Sequence, residues 1–314
     1  MRDKLRVVFM GTPDFAVPTL EVLIHDDRFN VIGVVTQPDR PKGRGNKLTI
    51  SPVKSLSLKH NLNVYQPNKI REQEMVEKLS ALSPDFLVVV AYGQILSESI
   101  LQIPKYLSIN LHASLLPRWR GAAPIHRAFI AGDKLTGVCT MIMEKGLDTG
   151  DTLLSEHTAI EDTDTVETLH DRMALMGSAL LAETLIGFVE GRIEKTPQDS
   201  EGVTYAGKLG KKDFEIDWTK SSAMVSRHIR GLSPFPGSVT ILNGRRLKLL
   251  FALAREEDES GDPGVILSLS ESGIQVACGK GSILITELKP DGKGKMSAHS
   301  YTLGRALKLG DRFG

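Results

Sequence analysis

The chain has 314 residues, 41% apolar and 25% charged, with a net charge of +1. Those proportions exclude extensive disorder, and the length accommodates two domains with separate cores. No apolar secretory core follows Met1 and no run approaches a membrane span, so a cytoplasmic protein without membrane attachment is expected.

Residues 5–10 form a short apolar run that breaks at Gly11-Thr12-Pro13-Asp14, after which residues 15–24 have helical spacing. Strand, tight turn and helix make the opening unit of a doubly wound sheet. Further buried strands are predicted at 31–36, 86–91 and 107–112, with a short one at 62–65 and a helical pattern over 70–82. This alternation predicts an α/β domain, a doubly wound, Rossmann-like parallel sheet with helices on both faces. Residues 138–143 and 152–158 read as additional strands. A long amphipathic helix follows over 164–189, with Asp164 and Glu167 at capping-box spacing.

From 191 to 210 the chain turns polar and irregular, with Pro197, Gly202, Gly207 and Gly210. The spacing predicts a domain over 1–190, a linker over 191–210 and a second domain over 211–314. In the second, a helix at 221–230 precedes strands at 239–242 and 247–253 around the turn signal Asn243-Gly244. Strands at 265–269, 274–277 and 283–288 follow, then a short helical pattern at 297–307. Short strands at this density predict a small, OB-like β-barrel. Residues 209–314 carry 16 Lys and Arg against 12 Asp and Glu, while residues 1–208 carry 23 against 26. A basic C-terminal part suits a polyanionic partner, although scattered solvated charge gives the same count. Cys139 and Cys278 lie far apart in apolar runs and read as buried free thiols, and no Cys/His spacing suggests a metal.

Asn110 and His112 are two apart in a predicted strand, so alternation sets them on one side of it. They lie at the strand's carboxyl end, where open α/β sheets place their ligand crevice. Alone, each residue reads as a satisfied polar group; together, ahead of Arg118-Trp119-Arg120-Gly121, they read as a site. Glu144, Asp148 and Asp151 offer carboxylates nearby. Asp148 lies between Gly146 and Gly150, where a turn-forming Asx residue is the plain alternative. An amide, an imidazole and a carboxylate suit acyl-type transfer to an amine. No G-x-G-x-x-G or G-x-x-x-x-G-K-[ST] follows the first strand, which disfavours dinucleotide and nucleoside triphosphate chemistry. Residues 37–47 form a Gly/Pro-rich loop with four basic residues, either simply solvated or fitted to grip a phosphate backbone.

Asn110-x-His112, Ser114-Leu115-Leu116-Pro117 and Asp148-Thr149-Gly150 resemble the active-site elements of the folate-dependent formyltransferases. The turn Gly11–Phe15, the loop 37–45 and Pro117-x-x-x-Gly121-Ala122-Ala123-Pro124-Ile125 resemble the members that act on initiator methionyl-tRNA. The likeness spans almost the whole chain, more loosely over the final hundred or so residues.

The resemblance implies 10-formyltetrahydrofolate as donor and the α-amino group of methionine on initiator methionyl-tRNA as acceptor, for translation initiation. It selects Asp148 over the neighbouring acids. Asn110 and protonated His112 would stabilise the tetrahedral oxyanion, and Asp148 would hold the imidazolium and take the amine proton. Ser114, Leu115, Leu116 and Pro117 are expected to contact folate, with Tyr92, Gly93, Gln94, Ile95 and Leu96 walling the pterin or forming only a strand-to-helix turn. Pro13 and Phe15 would shape a methionine pocket, unless Phe15 is helix-packing core. Arg44, supported by Arg40, Lys42 and Lys47, is the first candidate for tRNA contact. Lys208, Lys211, Lys212, Arg245, Arg246 and Lys248 follow in the linker and second domain. A monomer is the default. The rival readings are an amino-sugar nucleotide N-formyltransferase, a formyltetrahydrofolate hydrolase and, from another class, a non-catalytic RNA-binding protein.

Overall fold

The structure, a computed structural model, describes residues 4–42, 47–255, 261–305 and 307–314, and of Lys42 and Lys47 only the backbone. The chain divides into two compact units that interleave along the sequence. One takes Met1–Gly121, Thr136–Thr158 and His170–Tyr205; the other takes Ala122–Leu135, Ala159–Leu169 and Ala206–Gly314.

In chain order the first elements are β1 (Leu5–Gly11), α1 (Val17–His25), β2 (Phe29–Val35), β3 (Arg40–Lys42), β4 (Lys47–Thr49), α2 (Pro52–Lys59) and β5 (Val64–Tyr65). There follow α3 (Gln73–Ala81), β6 (Phe86–Val90), α4 (Glu98–Leu101), β7 (Leu107–His112), β8 (Arg120–Gly121) and α5 (Pro124–Ala131). Next come β9 (Leu135–Ile142), β10 (Thr152–Ala159) and α6 (Val166–Val189).

The sheet order is β10-β9-β7-β6-β1-β2-β5. Its centre is parallel: β1 pairs with β2 and β6, and β6 with β7. β6 is buried at every position, as a strand covered on both faces must be. β9 runs antiparallel to β7, so the expected parallel sheet carries an antiparallel edge. The chain leaves β7 and enters β9 at the same end of the sheet, which reverses the strand direction.

α6 lies against β7. At Gly177 an added Cβ would stand 2.7 Å from a methyl of Leu111, so the glycine gives the Leu111 side chain its room. Leu111 therefore faces the helix, and Asn110 and His112 face the other side of the sheet. By length and composition α6 could cross a membrane, which corrects the reading that no run approaches a span. Half of its most apolar window is buried inside the protein. Its start also differs from expectation. Thr165 and Thr168 exchange N–H to hydroxyl bonds of 3.0 and 3.3 Å, so the reciprocal cap sits one residue beyond the Asp164/Glu167 pair. Asp164 instead accepts from the Glu161 N–H and the Thr168 hydroxyl.

The remaining elements are β11 (Tyr205–Ala206), α7 (Ser222–Arg230), β12 (Ser238–Leu242), β13 (Arg245–Arg255), β14 (Ile266–Ser270), β15 (Gly273–Ala277), β16 (Ser282–Pro290), β17 (Met296–Ser297) and α8 (Ala298–Leu303). Strands β12-β13-β16-β15-β14 form an antiparallel sheet. Asn243 and Gly244 both have positive φ (49° and 71°) and Leu242 pairs with Arg245, as a two-residue hairpin turn requires. Ile241 and Gly314 exchange backbone bonds of 2.9 and 3.0 Å, while Ile266 N–H reaches the Asp311 carbonyl at 2.8 Å. The segment 310–314 thus bridges the β12 and β14 edges and closes the barrel. Trp218, Val225, Ile229, Leu249, Ile285 and Phe313 fill its core. In the same unit the buried Arg230 donates to the carbonyls of Glu161 (3.2 Å) and Asp164 (2.8 Å), with its guanidinium 5.3 Å from the Phe129 ring.

Candidate active site

The site grows from the carboxyl end of β7. Asn110 is half-buried, and among the described residues its side-chain amide has no hydrogen-bond partner. His112 is 5% exposed. Its Nε2 donates to the Trp119 carbonyl at 3.0 Å, and because a carbonyl only accepts, Nε2 carries a proton in this arrangement. Nδ1 faces Asp148 Oδ2 at 3.7 Å, within reach of charge but beyond a direct hydrogen bond.

Asp148 adopts φ +51° in its turn. A Cβ at Gly146 would meet the side chain of exposed Thr149, and one at Gly150 would collide with the Ile142 carbonyl, so position 150 needs glycine. The carboxylate does not cap its own turn. Its Oδ2 accepts the Gly121 N–H at 2.8 Å. Asp148, distant in sequence from Asn110 and His112, is thereby brought beside His112.

Sequence reasoning singled out Arg118-Trp119-Arg120-Gly121 but passed over Gln198 and Thr204, which pair with it. Gln198, in the stretch read as linker, gives its two amide protons to the carbonyls of Asp148 (2.8 Å) and Gly150 (2.7 Å). Its Oε1 accepts from Arg120 Nε (3.0 Å) and Nη2 (2.7 Å). Thr204 receives the Trp119 N–H on its hydroxyl at 2.8 Å and the Arg120 N–H on its carbonyl at 2.9 Å. No spacing rule connects a glutamine at 198 with an aspartate at 148, and the polar composition of 191–210 concealed it.

At the carboxyl ends of β1, β2 and β6 lies a cleft of about 450 Å³, lined by Thr12, Pro13, Gln37, Arg40, Tyr92 and Gly93 among others. Among the described residues its lining does not include Asn110, His112 or Asp148. The Tyr92 carbonyl accepts from the Thr12 hydroxyl (3.0 Å) and Gln37 Nε2 (3.2 Å), fixing the cleft floor. The Tyr92 ring is buried in the core, and burial pushes its phenol well above the usual range. Gln94 accepts the Ile70 N–H and donates to the Pro67 carbonyl, Ile95 is 88% exposed, and Leu96 joins the core.

After β7, the Ser114 hydroxyl donates to the Arg118 carbonyl at 2.6 Å, while Leu115, Leu116 and Pro117 are half-buried. Phe15 is buried edge-on against the His170 ring and does not line the cleft.

Of the basic candidates, Arg40 is exposed beside the cleft. Arg44 lies outside the described residues, as do the side chains of Lys42 and Lys47. In the C-terminal unit Lys208, Lys211, Lys212, Arg245 and Arg246 are exposed. Lys248 is half-buried, with Nζ donating to the Pro236 carbonyl at 2.6 Å.

Comparison with known proteins gives these parts their family. The formyl transferase model matches residues 4–185, and the model of the formyl transferase C-terminal domain matches residues 208–306. The chain belongs to the formyl transferase family. Relatives named methionyl-tRNA formyltransferase share nearly its whole length. It is 48% identical to that of Trichlorobacter lovleyi, over 97% of this chain and 96% of the relative. It is 45% identical to that of Clostridium novyi, over 97% and 98%.

Among solved structures, the fold is similar to the N-formyltransferase of Helicobacter canadensis in complex with folinic acid and dTDP-3-aminofucose. The TM-score is 0.69 at 17% identity, covering 90% of this chain and 98% of that one. It is also similar to HypX of Aquifex aeolicus in complex with tetrahydrofolic acid, with a TM-score of 0.62 at 15% identity, covering 96% and 47%. At such identities the likeness is one of fold.

Proposed function

We propose that this protein transfers the formyl group of 10-formyltetrahydrofolate to the α-amino group of methionine on initiator methionyl-tRNA, acting in the cytoplasm as a monomer. The observation that carries the reading is identity of 45–48% to methionyl-tRNA formyltransferases through both domains. The convergence of Asn110, His112 and Asp148 supports it from the chemistry.

The neutral amine attacks the formyl carbon, forming a C–N bond and a tetrahedral oxyanion. The Asn110 amide, uncommitted among the described residues, donates to that oxygen, and the positive charge of protonated His112 stabilises it further. Asp148 balances the imidazolium charge across 3.7 Å. Directly or through a water, it takes the proton the amine loses. Collapse of the oxyanion breaks the bond to the folate nitrogen, which leaves with a proton relayed from His112 or a linked water.

Ser114–Pro117 and the turn after β6 at Tyr92 and Gly93 contact the folate, with Pro13 shaping the methionine side. Arg40, Lys42, Arg44 and Lys47 grip the acceptor end of the tRNA. Lys208, Lys211, Lys212, Arg245, Arg246 and Lys248 track its phosphates, which positions the RNA without reading its sequence.

The test is formyl transfer from 10-formyltetrahydrofolate to charged initiator tRNA, beside uncharged tRNA, an amino-sugar nucleotide and water alone. Formylmethionyl-tRNA as the product is expected. Turnover confined to the amino sugar or to hydrolysis would overturn the reading.

A further inference from the structure

We infer that Gln198 and Arg120 form a positioning pair for the Asp148 carboxylate and set the rate of the transfer step without touching substrate. The inference rests on the role of Asp148 proposed above.

The turn carrying Asp148 has little of its own to hold it. Residues 144–147 and Thr149 are all exposed. Its aim at His112 is imposed from outside, by one tripeptide. Trp119 offers its carbonyl to His112 Nε2, and Gly121 its N–H to Asp148 Oδ2. Between them, Arg120 holds Gln198, which holds the Asp148 and Gly150 carbonyls. Asp148 is thus fixed at both main chain and side chain to Arg120-Gly121, in a closed ring of contacts.

The chemistry permits one orientation of the Gln198 amide. Flipped, its oxygen would face two carbonyl oxygens and its NH₂ group would face a guanidinium that has only donors. Arg120 is 9% exposed, and the guanidinium makes its two bonds to Oε1 charge-assisted and shielded from water. Removing either member frees the turn and lets the carboxylate drift from Nδ1.

The experiment compares Gln198→Leu, Asp148→Asn and the double variant at saturating concentrations of both substrates. In Gln198→Leu, kcat should fall about 10- to 100-fold with either KM changed by less than about threefold, since roughly 1 Å of misplacement costs on the order of a hundredfold. The double variant should be no slower than Asp148→Asn alone, because the pair acts only through that carboxylate. Arg120→Lys, which still offers a donor to Oε1, should turn over faster than Arg120→Met. These two variants decide the question if Gln198→Leu does not fold.

Wild-type kcat in Gln198→Leu overturns the positioning role, and so does a loss carried by KM or a multiplicative double variant. Equal rates for Arg120→Lys and Arg120→Met also overturn it. Full activity of Asp148→Asn would instead remove the proposed role of Asp148 itself, a separate failure.

Discussion

His112 meets Trp119 through a 3.0 Å hydrogen bond from Nε2 to a carbonyl whose residue sits at φ +63°. One ring nitrogen is therefore committed as a donor, and the other is turned to Asp148. Replacing His112 by Gln keeps a donor for Trp119 and removes the imidazolium. Such a variant should lose about 10²- to 10⁴-fold in kcat, the usual worth of a placed acid–base group. Single-turnover formyl transfer checks it, and near-wild-type turnover would remove His112 from the chemistry.

Asn110→Ala should lower kcat by about 10²- to 10³-fold, as loss of one oxyanion donor does elsewhere. Asn110→Asp should be at least as slow, because a carboxylate there can only accept and would face the developing negative oxygen. Steady-state rates of both, with folate KM as the control, test the assignment.

Gly150→Ala drives a methyl group into the Ile142 carbonyl. We expect a loss of about 1–3 kcal/mol in stability, typical of overpacking. Because Asp148 lies two residues away, kcat should drop as well. Urea denaturation beside an activity assay reads both, and a variant unchanged in either would show that the turn yields freely.

The extent to which the sequence foretold this site follows from range. Asn110 and His112 were legible because a strand's period of two is a local rule. Asp148 was one of three acids until family likeness selected it, since nothing local distinguishes a carboxylate that leaves its turn for Gly121. Gln198, and its pairing with Arg120, were invisible because that pairing is set by tertiary packing across dozens of residues. The antiparallel β9 escaped for the same reason, as direction depends on where the connection from β7 re-enters. The Asn243-Gly244 hairpin, wholly local, was read correctly.

Acid sensitivity should concentrate in the C-terminal unit. His228 donates from Nε2 to the Asp213 carbonyl at 2.8 Å, and burial lowers its pKa from the ordinary 6.5. Between the ordinary value and the lowered one, the unfolded chain binds a proton that the folded chain refuses. Stability is therefore full above the ordinary value and declines as pH falls through that window. His228→Gln keeps a donor for Asp213 and should flatten the decline. Denaturant midpoints at about pH 5 and pH 7.5 measure it, and an unchanged slope would assign the effect to other groups.

Arg246 is exposed, with Asp291 3.7 Å away, and binds RNA in the proposed reading. Arg246→Ala should weaken tRNA binding and reduce the slope of log K against log salt by about one. Arg44→Ala should raise the tRNA KM while the folate KM holds. Titrations across a salt series, with the same slope for wild type and Arg246→Ala, would take that side chain off the interface.

During synthesis, residues 122–135 and 159–169 leave the ribosome before residues 206–314, which complete their unit. Phe129, buried in the folded protein beneath the Arg230 guanidinium, has no such cover until α7 has been made. Every residue of the unit that carries β7 has emerged once residue 205 has, while α5, whose neighbour α7 is not yet made, exposes its apolar face. A nascent chain of that length would present chaperones with an unburied apolar helix face, the kind of surface on which aggregation begins.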